Sequence, residues 1–105
     1  MNNEPKVLSE AEIEEKIKEL PSGWKYKDNS ISKEFIFDSI SQGVVLLDKL
    51  IPFCDKIDHH PDIHIYYKKF IFELTRYSVG DKVTERDFLV AKEIERLYSQ
   101  RSKLQ

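Results

Sequence analysis

The sequence predicts an α+β domain in which three helices cover one face of a four-stranded antiparallel sheet. Three observations lead there. Two stretches carry matching helix-start devices, Leu8-Ser9-Glu10-Ala11-Glu12-Ile13 and Val83-Thr84-Glu85-Arg86-Asp87-Phe88. Short runs rich in aromatic and β-branched residues come in two pairs, each pair split by turn chemistry. The patterns follow one another as α-β-β-α-β-β-α, an order that segregates helices to one side of a meandering sheet. The 105 residues are expected to form one domain, 1–105, with 1–7 and 99–105 as loose tails.

The first helix starts where Ser9 caps the free amides, Glu12 reaches back and Leu8 packs on Ile13. Ile13, Ile17 and Leu20 continue at helical spacing until Pro21-Ser22-Gly23 ends it. Trp24–Lys27 and Ile31–Phe37 read as strands joined through Asp28-Asn29-Ser30. Asp38 or Ser39 caps a second helix whose inward stripe is read as Ile40, Val44, Leu47, Ile51 and Cys54. Pro52 inside that pattern removes one backbone hydrogen bond, so a kink is expected near residues 48–52. Pro61 forbids smooth continuation beyond His60. Two further strands follow, Ile63–Tyr67 and Phe70–Ser78, with a turn near Lys68-Lys69; Phe70, Phe72 and Leu74 share the core face. The last helix runs to about Tyr98 with Val90, Ala91, Ile94 and Leu97 inward.

The composition, 40% hydrophobic and 34% charged, is that of an ordinary soluble domain. A formal charge of −2 argues against nucleic acid as the main partner, because phosphate binding needs a basic stripe. Lys92, Arg96, Arg101 and Lys103 gather near the C-terminus, where cations suit a helix dipole. Cys54 is the only cysteine, which rules out an internal disulfide, and its apolar helical setting places it in the core. No run approaches the roughly 20 apolar residues that span a bilayer, so no membrane partner is expected. With no signal-peptide pattern, an intracellular protein is expected.

The chemistry concentrates in Asp55-Lys56-Ile57-Asp58-His59-His60-Pro61. The chain's three histidines, His59, His60 and His64, lie beside Asp55, Asp58 and Asp62. Imidazole exchanges protons near neutral pH, and a neighbouring carboxylate fixes its tautomer, so the cluster is a candidate proton-transfer site. Histidines at a helix end also serve simply as caps for its carbonyls. His60, Asp62 and His64 alternate onto one face of an extended chain, a set that could hold zinc or non-haem iron; Pro61 interrupts it and no further ligand is evident, so no metal is expected.

This order of elements, together with Asp55-x-x-x-His59-His60-Pro61, resembles the pterin-4a-carbinolamine dehydratases, also known as the dimerisation cofactor of a homeodomain transcription factor. The resemblance covers Trp24 to about Leu97. It includes the Gly23-Trp24 pair, an aromatic at Tyr67 and an aspartate at Asp87. One position departs: the family's usual third histidine, ten residues after the aromatic, is Tyr77 here. A phenol is a poor proton acceptor at neutral pH. Either the site works with two histidines and a phenol, or some or all of the activity is lost; His64 would compensate only by pointing into the same pocket.

The resemblance implies a hydro-lyase that expels water from 4a-hydroxytetrahydrobiopterin to give the quinonoid dihydropterin, in tetrahydrobiopterin recycling. It implies no cofactor, since the pterin is the substrate. His60 is assigned as acid, His59 as orienting or basic partner, and Asp55 as the carboxylate holding an imidazole. Asp58, Trp24 and Arg86 would line the pocket, with Tyr77 and Asp87 completing it. Each has an ordinary alternative: Trp24 as core or rim, Arg86 as a solvated first-turn residue, Tyr67 as cross-strand packing, and Asp87 as a helix cap. The resemblance further implies dimers paired into tetramers through the second helix and a sheet edge, and a cytoplasmic location, or a nuclear one for a coactivator. The competing function is a binding module of the coactivator or enzyme-assembly type, with a protein partner.

Overall fold

The computed structural model describes residues 4–104. Its elements are α1 (Glu10–Lys18), β1 (Lys25–Lys27), β2 (Ser30–Ile36), α2 (Ile40–Ile57), β3 (Asp62–Tyr66), β4 (Lys69–Leu74) and α3 (Glu85–Ser99), with single 3₁₀ turns at Tyr77–Val79 and Arg101–Lys103. The expected order is therefore present. The four strands are all antiparallel in the spatial order β1-β2-β4-β3.

Local chemistry explains most element ends. At α1, the Ser9 hydroxyl accepts from the Glu12 amide at 3.2 Å and the Glu12 carboxylate accepts from the Ser9 amide at 2.9 Å. Lys27 pairs with Ser30 across Asp28 and Asn29, whose φ values are +52° and +62°. That is the two-residue mirror-image turn matching strand twist, and Asp and Asn tolerate it best among residues with a side chain. The second hairpin turns at Tyr67-Lys68, one residue earlier than expected, because Tyr66 pairs with Lys69. β4 stops at Leu74, short of the expected Ser78. There Arg76 bridges to Lys82 and the intervening chain winds into the 3₁₀ turn.

Register puts Ile31, Phe35, Phe70, Phe72 and Leu74 on one face of the sheet, all buried. Val90, Ala91, Ile94 and Leu97 of α3 are buried, as their spacing predicts. Phe35 and Phe37 meet Tyr98 edge-on, at centroid distances of 4.8 and 5.4 Å. At roughly 1.5–3 kcal/mol for each large apolar side chain buried, these layers supply the main stabilising contribution.

α2 corrects the sequence reading. Its buried residues are Gln42, Gly43, Leu46, Leu50 and Cys54, whereas Ile40, Val44 and Ile51 are exposed and Leu47 is half-buried. Only Cys54 of the expected stripe is fully buried. The two stripes lie about a quarter turn apart on the helix. Both are apolar, so periodicity could not choose between them. The choice is made at Gly43, where the Phe70 ring presses on the helix so closely that a Cβ would overlap it. The helix runs through Pro52 without interruption.

Residues 1–3 and 105 of the expected loose tails lie outside the described residues; the described parts of both tails are docked rather than loose. The Leu8 amide donates to Val83 at 3.0 Å, Val7 bridges to Thr84, and Pro5 is buried. At the other end Leu104 is buried and Gln42 Nε2 donates to the Arg101 carbonyl at 3.0 Å. Each end carries an apolar residue that gains by covering the core, and backbone partners wait for it.

Candidate active site

The site is built on the end of α2. The His59 amide donates to the Cys54 carbonyl at 3.0 Å and the Asp58 amide to the Asp55 carbonyl at 3.3 Å. Asp58 lies between them in the left-handed region, φ +54° and ψ +51°. This is the Schellman helix stop with an aspartate where glycine is commonest. It reverses the chain so abruptly that consecutive histidines part: His59 is buried and His60 is exposed.

His59, 3% exposed, is held from both sides. Its Nε2 is bonded to Asp87 Oδ1, and Arg76 Nη1 donates to its Nδ1 at 3.3 Å. A carboxylate only accepts and a guanidinium only donates, so Nε2 carries the hydrogen and Nδ1 the lone pair. Asp87 is also the third residue of α3, where its Oδ2 accepts from the Thr84 amide at 2.8 Å. One Asp87 oxygen thus caps α3 and the other holds the His59 imidazole.

His60 Nε2 donates to Asp55 Oδ1 at 2.7 Å, and its Nδ1 makes no hydrogen bond to the rest of the described chain. Tyr77 is exposed and donates its hydroxyl hydrogen to Asp62 Oδ2. That bond, with a smaller contribution from desolvation and the Asp62 charge, pushes the phenol up to about 12. These groups line one cleft of about 380 Å³, formed by residues 58–62 and 75–78. Tyr77, Thr75 and Asp62 are also a shared wall with a second depression on the other side.

Of the residues singled out in the sequence, His59, His60, Asp58 and Tyr77 come together around this cleft, with Asp55 and Asp87 behind the two imidazoles. Trp24 does not join them. It is 5% exposed in the core, donating from Nε1 to Glu95 at 2.8 Å beside the Lys33–Glu95 ion pair. Arg86 is outside the lining too; its charge helps hold the Glu4 carboxyl below the ordinary value, after hydrogen bonds from Ser78 and Arg76. Tyr67 is at the far hairpin tip. His64 pairs with Glu73 at 3.1 Å on the open face of the sheet, away from the cleft lining. Among the described residues, no three His, Cys, Asp or Glu side chains converge as metal ligands. Burial pushes the Cys54 thiol up to about 11, as befits a core cysteine.

Arg76, Thr75 and Ser78 of the cleft escaped the sequence reading as site residues, and Asp62 entered it only as a neighbour of the histidines and a candidate metal ligand, not as the partner of Tyr77. For Arg76 a signal existed. It continues the Phe70, Phe72, Leu74 alternation, which aims its side chain inward, where an arginine needs partners. What the sequence could not show for Asp62 is its partner, because the phenol that engages it comes from a turn 15 residues away.

The chain matches the family described as pterin 4 alpha carbinolamine dehydratase over residues 6–97. A relative from Sulfolobus acidocaldarius, named "Putative pterin-4-alpha-carbinolamine dehydratase", is 39% identical over 86% of this chain and 97% of its own. One of the same name from Sulfurisphaera tokodaii is 40% identical over 88% of this chain and 97% of its own. The crystal structure of a transcriptional coactivator/pterin dehydratase from Brucella melitensis superposes with a TM-score of 0.82 at 26% identity, covering 89% of this chain and 99% of that one. A pterin dehydratase-like RuBisCO assembly factor of the alpha-carboxysome shares the fold, with a TM-score of 0.56 at 22% identity over 71% of this chain and 86% of its own. Sequence match and shared architecture agree: the chain belongs to the pterin 4 alpha carbinolamine dehydratase family.

Proposed function

We propose that this protein removes water from 4a-hydroxytetrahydrobiopterin to give the quinonoid dihydropterin, returning the pterin for reuse. The observation that carries the reading is His60, which stands at the cleft with Nε2 anchored on Asp55 and Nδ1 open. An anchored imidazole with one open nitrogen is the arrangement general acid–base catalysis requires. His60 gives its proton to the 4a-hydroxyl as the C–O bond breaks, and the bonding pair leaves with the oxygen as water. The adjacent ring nitrogen loses its proton, and that electron pair becomes the new C=N bond. His60, now neutral, accepts the proton. Nothing is oxidised or reduced, so the reaction itself calls for no cofactor. In this scheme His59 orients, its two nitrogens being engaged by Asp87 and Arg76. Tyr77 serves as a neutral hydrogen-bonding wall, since its phenol keeps its proton to about 12.

The test is turnover of synthetic 4a-hydroxytetrahydropterin. Wild type is expected to exceed the buffer rate, and His60→Ala to lose at least about a hundredfold with the fold intact. A wild-type rate equal to buffer removes the reading.

A second reading is favoured by Tyr77 together with the exposed Ile40, Val44 and Ile51 on α2. In it the scaffold binds or assembles a partner and turns over slowly or not at all. Tyr77→His separates the two: a rise of about tenfold or more marks a weakened catalyst, whereas no change with near-background turnover favours the binding module. On either reading we propose self-association through α2, and a cytoplasmic setting for the dehydratase.

A further inference from the structure

We infer that Arg76 is a positioning residue of this site, holding the Asp58–His59 corner against the Tyr77 turn and fixing His59 in its Nε2–H tautomer. Its activity arm rests on the dehydratase reading; its structural arm does not.

Arg76 sits between three segments. Nη1 donates to the Asp58 carbonyl and, at 3.3 Å, to His59 Nδ1. Nε donates to Ser78 Oγ at 2.9 Å, just past Tyr77. Nη2 donates to Glu4 Oε1 at 2.8 Å, on the segment leading into α1, and stands 3.5 Å from Asp58 Oδ2. The side chain is 13% exposed. Its backbone is pinned as well, the amide donating to the Lys82 carbonyl at 2.9 Å and the Arg76 carbonyl accepting from Asp81 at 3.1 Å. A planar five-donor fork can satisfy partners in several directions at once; a lysine ammonium on its flexible stem cannot reproduce that spread.

Two consequences follow for the cleft. The Asp58 carbonyl belongs to the left-handed residue that parts the two histidines, so the bond to it stabilises the reversal that exposes His60. The guanidinium also occupies the Nδ1 lone pair, so no donor from solvent or substrate can take that position while Arg76 holds it. With Asp87 on Nε2, the ring cannot flip or exchange tautomers without losing a bond. A catalytic group displaced by about 1 Å can cost roughly a hundredfold in rate, so a clamp one residue from His60 has leverage on turnover out of proportion to its stability contribution.

The experiment uses full-length protein and two variants, Arg76→Met and Arg76→Lys. In wild type, nitrogen NMR of the His59 ring at neutral pH should show Nε2 protonated and Nδ1 unprotonated. In Arg76→Met the Nδ1 resonance should move by several ppm, with kcat down about tenfold or more and KM within about twofold. Arg76→Lys should retain the fold and recover only part of both signals; if Arg76→Met does not fold, Arg76→Lys decides alone, by the same two readouts. An unmoved Nδ1 resonance in a folded variant, or a raised KM with kcat intact, overturns the inference. If wild type has no turnover, the dehydratase reading fails and the resonance alone decides the role of Arg76.

Discussion

Tyr77 shows how one partner sets the chemistry of a residue. Its hydroxyl donates to the Asp62 carboxylate, and the phenol rises from 10 to about 12. A group whose pKa is higher folded than unfolded contributes its stability below the unfolded value, and loses it as pH climbs through the folded one. Tyr77 is therefore a neutral donor at every physiological pH and is not a base. Ultraviolet titration of tyrosinate should show a late step, well above 10, that is absent in Tyr77→Phe; its persistence there would place the late titration on another tyrosine. The same contact makes Tyr77 an unlike replacement for a histidine, which titrates near neutrality.

At the scale of elements, α2 is where packing overrules pattern. An Ala at an open helix position stabilises by about 1 kcal/mol relative to Gly. At Gly43 the added methyl would run into the Phe70 ring, itself fully buried against Phe37. Overpacking of that kind costs about 1–3 kcal/mol, with no flexible chain end to yield. Gly43→Ala should therefore lower stability, by roughly 1 kcal/mol or more, in urea unfolding. An unchanged or raised midpoint would mean that the helix does not lie on β4 as described. The Schellman stop at the other end of α2 was partly legible: Pro61 announced an ending near His60. Which histidine would point inward depended on the left-handed turn at Asp58, and aspartate is not the residue that turn usually advertises.

For the molecule as a whole, the second stripe of α2 matters most. Ile40, Val44 and Ile51 are 43–45% exposed on the side of the helix turned away from the core. A helix apolar on two sides is usually covered on both. On the proposed self-association through this stripe, wild type should sediment as an oligomer and Val44→Asp as a smaller species, with far-ultraviolet dichroism unchanged. A wild-type monomer at micromolar concentration would leave the stripe without that role. The first and last described residues belong to this scale also: Glu4 reaches Arg76 and Leu104 closes the core, so both are part of the packed unit.

The sequence alone determined the α+β order, both helix-start devices, the strand faces and the clustering of histidines and acids at residues 55–61 that marks the candidate site. Those signals are local: a cap needs three residues, an alternation needs six, and a proline acts on its neighbour. Tertiary structure decided which stripe of α2 is buried, that Trp24 serves the core, and that Arg76 and Asp87 meet on one imidazole. Those outcomes depend on side chains brought together across 17 and 28 residues of chain, a distance over which periodicity carries no information about contact.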